Sequence, residues 1–417
     1  MLFGSSGIRQ PYGPDLLALA VAASRAVAGS AARVVLAHDT RTTSPLLAEA
    51  VTAGLLAGGA RVATCGIAPT PSLAFAAREF DAGVMVTASH NPEPDNGIKL
   101  FNPDGSSFTR AQQETVESAI QGPPAWRDWN GQGLAEPRKI TGPHLAAIAG
   151  RFILARPLKV VVDCGNGAAS GVTPALLAMM GAEAVALNCN PSGRFARPSE
   201  PLEENLPYMG EMVRQTGADC GIAHDGDADR MVAWDNRGRF IDGDRMLSLL
   251  ARFLGARQVV TTVDASMAVE AVGEVRRTPV GDAYVSEHLR GWGDFGGEPS
   301  GTWIFPGHSL CPDGIYAAAL LCTIASRMDL AAEVDRIPRY PVLRTSLPSE
   351  RAREVLTALG AASPTDGIRT EREGGWFLVR ASGTEPRIRI TAEGVTRERA
   401  EALMEEGRQM VRRANLH

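Results

Sequence analysis

The chain has 417 residues, too many for one hydrophobic core, so two to four domains are expected. It is 44% hydrophobic and 21% charged with a formal charge of −5, an ordinary globular balance that offers no broad basic field for nucleic acid. Only Lys99, Lys139 and Lys159 are lysines, and an arginine-rich chain suits anionic ligands through the planar guanidinium fork, although genomic base composition produces the same bias.

The N-terminal Met-Leu-Phe-Gly-Ser-Ser lacks a basic leader region. The apolar run 16–28 is interrupted by Arg25 and is shorter than the roughly 20 residues of a membrane span. A cytoplasmic protein with no membrane partner is expected. The β-branched run 34–39, ending in Asp39, predicts a strand; 45–56 predicts a helix ending at Gly58-Gly59, and 61–64 a second strand. Further on comes Gly83-Val-Met-Val-Thr-Ala-Ser-His-Asn-Pro92. The glycine-, proline- and tryptophan-rich stretch 122–133 predicts a surface loop.

The pattern then repeats. A strand at 160–163, a helix at 173–180 ending at Gly181 and a strand at 184–187 lead to Gly221-Ile-Ala-His-Asp-Gly-Asp-Ala-Asp-Arg230. A strand at 259–264, a helix at 266–272 ending at Gly273 and a strand at 274–278 lead to Asp294-Phe-Gly-Gly-Glu-Pro-Ser-Gly301. Such alternation indicates parallel βαβ units, and ligands bind beyond the carboxyl ends of their strands. Three similar units can therefore aim three loops at one cleft. Beyond Ile337-Pro338 the tail differs: strands at 377–380 and 387–391, then a helix at 397–412 with Ala400, Leu403, Met404, Gly407, Met410 and Val411 at helical spacing. The expected fold is three similar α/β domains with mixed sheets plus a smaller C-terminal α+β domain around a central cleft. The expected boundaries are 1–145, 146–242, 243–338 and 339–417.

Asp225-Gly-Asp-Ala-Asp229 sets three carboxylates at alternate positions, followed by Arg230. They repel one another unless a cation neutralises them, and an oxygen-only set suits a hard divalent ion such as Mg²⁺; a solvated acidic turn would read the same way. Ser89 follows an apolar strand, and its hydroxyl needs a metal or base to become a nucleophile. His90, adjacent, reads better as a loop-ordering residue than as that base. Lys99 can carry a proton or neutralise phosphate. Arg380-Ala-Ser-Gly-Thr-Glu-Pro-Arg387 combines arginines, hydroxyls and a glycine turn, the makings of an anion nest. Glu298 and Ser300 can read neighbouring sugar hydroxyls, though a plain turn is equally compatible. Arg9 and Arg41 are further candidate phosphate contacts. The six cysteines form no Cys-x-x-Cys pair and read as free, buried thiols in a reducing compartment.

These motifs, in this order, resemble the α-D-phosphohexomutase superfamily over essentially the whole chain. The resemblance implies four domains around one cleft, Ser89 as phosphoserine, and one Mg²⁺ per chain on Asp225, Asp227, Asp229 and the Ser89 group. It implies Glu298 and Ser300 on sugar hydroxyls, and Arg380, Ser382, Gly383 and Thr384 on the non-reacting phosphate. Arg9 and Lys99 match positions of proton transfer or charge stabilisation, and Arg230 and Asp282 are taken as substrate-binding. The implied reaction moves a phosphoryl group between O6 and O1 of a hexose phosphate through a hexose 1,6-bisphosphate. Pro279-Val-Gly-Asp-Ala-Tyr-Val285 is similar to the corresponding loop of archaeal-type phosphoglucosamine mutases, which favours glucosamine 6-phosphate over mannose or glucose phosphates. A phosphatase and a silent sugar-phosphate sensor are the competing readings. A small sugar phosphate is the expected partner, with no nucleic acid, and a monomer or homodimer. The chain departs from the pattern at Thr302, where many relatives carry histidine, and at Gln10, His38 and Ala381; His308 is the histidine that could approach instead.

Overall fold

The computed structural model describes residues 2–4, 7–122, 126–382 and 385–414. Its strands form four sheets. The first sheet runs, edge to edge, Ile8–Pro11, Asp95–Phe101, Ala82–Val86, Arg33–His38, Arg61–Ile67 and Ala135–Pro137. The second runs Phe240–Ile241, Met231–Trp234, Cys220–His224, Lys159–Asp163 and Glu183–Leu187. The third runs Glu274–Thr278, Gln258–Thr262, Phe295–Glu298, Thr302–Phe305 and Ser309–Pro312.

All three share one design. The first predicted strand of each repeat lies in parallel between the second strand and the strand that leads into the motif loop. Antiparallel strands then extend the sheet on the motif side. Runs such as Lys-Val-Val-Val-Asp (Lys159–Asp163) are buried from the second residue on, as expected of strands covered on both faces. The third repeat departs from expectation in its helix. Met267–Ala271 is a single 3₁₀ segment, and the longer Gly243–Leu254 helix covers that face instead.

The fourth sheet is wholly antiparallel: Val342–Pro348, Arg387–Gly394, Gly375–Ala381 and Ile368–Arg372. The Arg397–Ala414 helix lies on it through Ala400, Leu403, Met404, Gly407 and Val411.

The largest core spans the second and third sheets. At its centre the Gly314–Arg327 helix is buried at every residue except Arg327, because its sequence is apolar on all faces. The fourth unit docks on the third through a polar contact: Glu393 accepts from Ser266 Oγ (2.5 Å) and Met267 N (2.8 Å), and Arg369 Nη1 donates to the carbonyls of Val263 (2.7 Å) and Ala265 (3.1 Å). Among the described residues all six cysteines are free, with Cys65 and Cys189 partly exposed, and no helix is long and apolar enough to cross a membrane.

Candidate active site

The three motif loops converge on one cleft. A cleft of about 390 Å³ is lined by Arg9, Ser89, His90, Glu200, Asp229, Arg230, Thr262, Asp264, Asp282, Glu298, Ser300 and Thr302, among others. A larger cavity, about 660 Å³, opens elsewhere beside His38, Glu49 and Cys65 and contains none of the phosphoryl-transfer candidates.

Ser89 sits just past the Ala82–Val86 strand with φ +52°, a left-handed conformation unfavourable for a residue with a Cβ. Its surroundings impose it. Arg41, 1% exposed, donates to the carbonyl oxygens of Ser89 (2.9 Å), Asn91 (2.7 Å), Pro92 (2.7 Å) and Asp95 (3.0 Å). Asp39 anchors Arg41 through Nε at 3.1 Å and accepts the Thr87 hydroxyl at 2.7 Å, and Thr87 Oγ1 in turn accepts from Ser89 N at 2.9 Å. Arg41 is therefore no phosphate contact: both terminal nitrogens are engaged by the serine loop and Nε by Asp39.

The Ser89 hydroxyl donates to Asp225 Oδ2 at 2.8 Å, across the boundary between the first and second sheets. The loops meet because residue 226 is glycine: a Cβ there would lie 2.8 Å from the Ser89 carbonyl oxygen. Asp225, Asp227 and Asp229 are all buried, and each offers an oxygen within 4.8 Å of the others. Burial first, then Asp229 and Asp227, raise the Asp225 carboxyl well above its usual range. Burial also pushes Asp227 up, but Lys99 and the Thr70 hydroxyl, which donates to Asp227 Oδ2 at 2.6 Å, hold it below the usual range. Lys99 Nζ lies 2.7 Å from both Asp227 Oδ2 and Asp229 Oδ2, and these carboxylates outweigh burial to keep it protonated. The Oδ1 atoms of Asp227 and Asp229 are buried with no hydrogen-bond partner among the described residues. Two orphaned carboxylate oxygens in an all-oxygen cluster fit a hard divalent cation such as Mg²⁺.

His90 Nδ1 is 3.2 Å from Ser89 Oγ, and Arg230 Nη2 faces its Nε2 at 3.4 Å. Burial and the Arg230, Arg9 and Lys99 charges lower its pKa to about 3, so the ring is neutral at pH 7. Arg9 Nη1 donates to Asn91 Oδ1 at 3.3 Å and reaches the same cleft. Opposite, Glu298 accepts from Gly281 N (2.8 Å) and Thr302 Oγ1 (3.0 Å), with Ser300 Oγ at 3.5 Å. Burial, then Asp282, pushes Glu298 up to about 7. Thr302 thus buttresses Glu298 and carries no imidazole into the cleft. His308 does not line the cleft and packs against Phe75, His144 and Tyr316.

Arg380 and Ser382 lie at the end of the Gly375–Ala381 strand, outside the residues that line the cleft. Ser382 Oγ is buried with no partner among the described residues. Gly383 and Thr384 fall outside the described residues.

Several contributors were not singled out from the sequence. Thr70, from Pro69-Thr-Pro71, reaches the aspartate loop; Ser199 Oγ bridges the Ser89 carbonyl (3.0 Å) and Gly226 N (3.1 Å); Asp264 lines the cleft. The repeat carried a signal for the last. Asp39, Asp163 and Asp264 lie at or just past the ends of equivalent strands, but Asp39 and Asp163 pair with buried Arg41 and Arg197. Among the described residues Asp264 has no such pair; Arg277 and Arg369 instead hold the neighbouring carbonyls of Thr262, Val263 and Ala265.

Comparison with known proteins gives this geometry a lineage. Four segments match, in order, the phosphoglucomutase/phosphomannomutase alpha/beta/alpha domains I (residues 1–124), II (143–238) and III (242–340) and the C-terminal domain (342–409). A probable phosphoglucosamine mutase of Methanocella arvoryzae is 44% identical over 430 residues, covering 99% of this chain and 98% of the relative. A crystal structure of a phosphoglucomutase/phosphomannomutase family protein from Burkholderia thailandensis superposes with a TM-score of 0.88 at 28% identity, covering 99% of this chain and 97% of that one. At 17% identity the likeness is one of fold alone to Aspergillus fumigatus N-acetylphosphoglucosamine mutase, solved with GlcNAc-6P and magnesium (TM-score 0.64, covering 99% and 96%). With its four segments matched in sequence order and its serine, aspartate and glutamate loops facing one cleft, the chain belongs to the phosphoglucomutase/phosphomannomutase family.

Proposed function

We propose that this protein interconverts glucosamine 6-phosphate and glucosamine 1-phosphate through a phosphoserine at Ser89. The carrying observation is the 2.8 Å contact between Ser89 Oγ and Asp225 Oδ2, with Ser89 lining the same cleft as Glu298 and Ser300. A nucleophile beside a carboxylate triad, facing a hydroxyl reader, is arranged for phosphoryl transfer to a sugar. The amino sugar is favoured because the full-length relatives at 40–44% identity bear the name probable phosphoglucosamine mutase.

In the forward direction the Oγ–P bond of phosphoserine breaks as O1 of the substrate bonds to phosphorus, and the O1 hydroxyl proton passes in net to Ser89 Oγ, giving a hexose 1,6-bisphosphate. After the sugar turns over, the O6–P bond breaks as Ser89 Oγ bonds to phosphorus, and the Oγ proton passes in net to O6. Asp225, Asp227 and Asp229 would hold one Mg²⁺, which neutralises charge on the transferring group when bound. Lys99, Arg9 and Arg230 add fixed positive charge around that group. Glu298, and Asp282 with it, orients the sugar by accepting from its hydroxyls, and Ser300 adds a second polar contact. Arg380, Ser382, Gly383 and Thr384 grip the distal phosphate, so binding energy remote from the reaction aligns the reacting end. His90, neutral and beside Oγ, orders the loop. The four units are assigned to 1–145, 146–242, 243–338 and 339–417.

The test is a coupled mutase assay with glucosamine, mannose and glucose 6-phosphates and a trace of the bisphosphate, alongside intact mass of Ser89→Ala. The expected results are the highest kcat/KM for the amino sugar, a phosphorylated wild type and an unphosphorylated variant slower on the order of 10⁶-fold. Steady phosphate release without isomerised product would make the protein a phosphatase. Full activity in Ser89→Ala would overturn the mechanism.

A further inference from the structure

A second cluster of potential metal ligands lies away from the cleft. His144, on the Thr141–Ala149 helix, meets His308 and Asp313, which flank the Ser309–Pro312 strand of the third sheet. His144 Nε2 is 2.9 Å from Asp313 Oδ2, and His308 Nε2 is 3.6 Å from the same oxygen. The side chains are 0%, 7% and 1% exposed for His144, His308 and Asp313. One ligand atom from each residue lies within 4.8 Å of the other two.

Two details separate this trio from ordinary packing. His308 Nε2 is buried and has no hydrogen-bond partner among the described residues, although it points at the carboxylate. A buried ring nitrogen left this way calls for an explanation. In addition, the second oxygen of Asp313 and the second nitrogen of His144 have partners outside the trio. Asp313 Oδ1 accepts from Ile315 N (3.0 Å) and Tyr316 N (2.8 Å) as the cap of the Gly314–Arg327 helix, which leaves Oδ2 turned toward the imidazoles. His144 Nε2 donates to Asp313 Oδ2, and Nδ1 is 2.9 Å from Ser72 Oγ, a hydroxyl that can accept from Nδ1–H when a metal ion takes the place of the Nε2 proton. Phe75 stacks on His308 with ring centroids 4.9 Å apart and holds that ring in place.

We propose that His144, His308 and Asp313 form a binding site for a borderline divalent transition ion, Zn²⁺ or its like, distinct from the magnesium cluster. Bonds of about 2.0–2.1 Å in tetrahedral array put neighbouring ligand atoms about 3.3 Å apart, and the two separations from Asp313 Oδ2 bracket that value. Two imidazoles and one carboxylate suit such an ion far better than Mg²⁺, with water in the fourth position. The site ties three parts of the chain together: Ser72 from the Thr70–Ala77 helix of the first unit, His144 from the helix entering the second, and His308 and Asp313 from the third. Its role is a structural clamp. Ser72, His144 and Asp313 also have the order of a hydrolytic triad, but Ser72 is fully buried and no substrate reaches it.

The test uses the full chain, stripped with a chelator and returned to excess magnesium to fill the aspartate cluster. It is then titrated with Co²⁺ and Zn²⁺. The expected result is one Co²⁺ per chain with the visible absorption of a tetrahedral ion, displaced by Zn²⁺ and unaffected by Asp225→Asn. His308→Phe, which keeps the stacked ring, should abolish it. Ser72→Ala should weaken it about 10–100-fold, and it guards against a folding defect in the histidine variant. Circular dichroism confirms that each variant is folded. Absence of uptake beyond the magnesium cluster, or equal Co²⁺ affinity in folded His308→Phe, would overturn the proposal.

Discussion

Nη2 of Arg41 donates to the carbonyl oxygen of Ser89 at 2.9 Å. This bond, with three more from the same guanidinium to Asn91, Pro92 and Asp95, fixes the serine loop from behind. The left-handed backbone at Ser89 costs roughly 1–2 kcal/mol, so the position of the hydroxyl depends on that grip. Arg41→Lys keeps the charge and loses the fork. Its kcat should fall about 10²-fold with KM little changed, the signature of a misplaced nucleophile, read by steady-state kinetics. Arg41→Met leaves Asp39 buried and unpaired and should cost roughly 3–5 kcal/mol, read from the denaturant midpoint.

Glu298 has an ordinary carboxyl value of 4.5 raised to about 7 by burial and then by Asp282. The folded state therefore holds this proton to a higher pH than the unfolded chain does. The resulting stability is fully present below the unfolded value and is lost as pH rises through about 7, a change of about 3 kcal/mol. Glu298→Gln lacks this dependence. Melting curves should show the variant gaining on the wild type between about pH 5 and pH 8. The ionised carboxylate is the better acceptor for sugar groups, so wild-type KM should fall as pH rises through about 7 and stay flat in the variant.

The three aspartates and Lys99 are linked through charge. Removing magnesium should stop turnover and leave the fold intact, because Lys99 still pairs with Asp227 and Asp229. Lys99→Met removes that ammonium, and the magnesium-free variant should be less stable by roughly 3–5 kcal/mol. Magnesium should then raise its melting temperature more than that of the wild type. Asp229→Asn should lower kcat/KM about 10²–10³-fold at saturating magnesium.

Docking of the fourth unit rests on Glu393, which is 1% exposed and accepts from Ser266, Met267 and Trp376 Nε1. Hydrogen bonds to a charged group contribute about 1.5–3 kcal/mol each. Glu393→Gln should loosen the unit that carries the proposed phosphate grip. The expected outcome is a rise in KM larger than the loss in kcat, with faster proteolytic cleavage near Pro338 and Pro341.

Much of this was legible from spacing. The three aspartate-ended strands correspond to the central parallel strands of three sheets, and the tail helix buries five of the six residues picked from its periodicity. The weak points were polar residues at strand ends. Arg9 and Arg41 looked alike in sequence; one lines the cleft and the other is sealed behind the loop. Thr70 went unnoticed because nothing in Pro-Thr-Pro announces an aspartate that is 157 residues away in sequence.

Residue type and spacing were enough for the chemical inventory and its order: a serine loop, an aspartate loop, a glutamate loop and an arginine-serine loop, each after a strand. Hydrophobic periodicity and the glycine stops suffice for that, since both act over a few residues. The tertiary structure was needed to show which carboxylates pair with arginine and which line the cleft, that Lys99 pairs with two of the aspartates, and that His308 turns away from the cleft toward His144. Those outcomes depend on desolvation and on contacts between distant segments, and the energy of a buried charge is set by whatever group packing brings within reach of it.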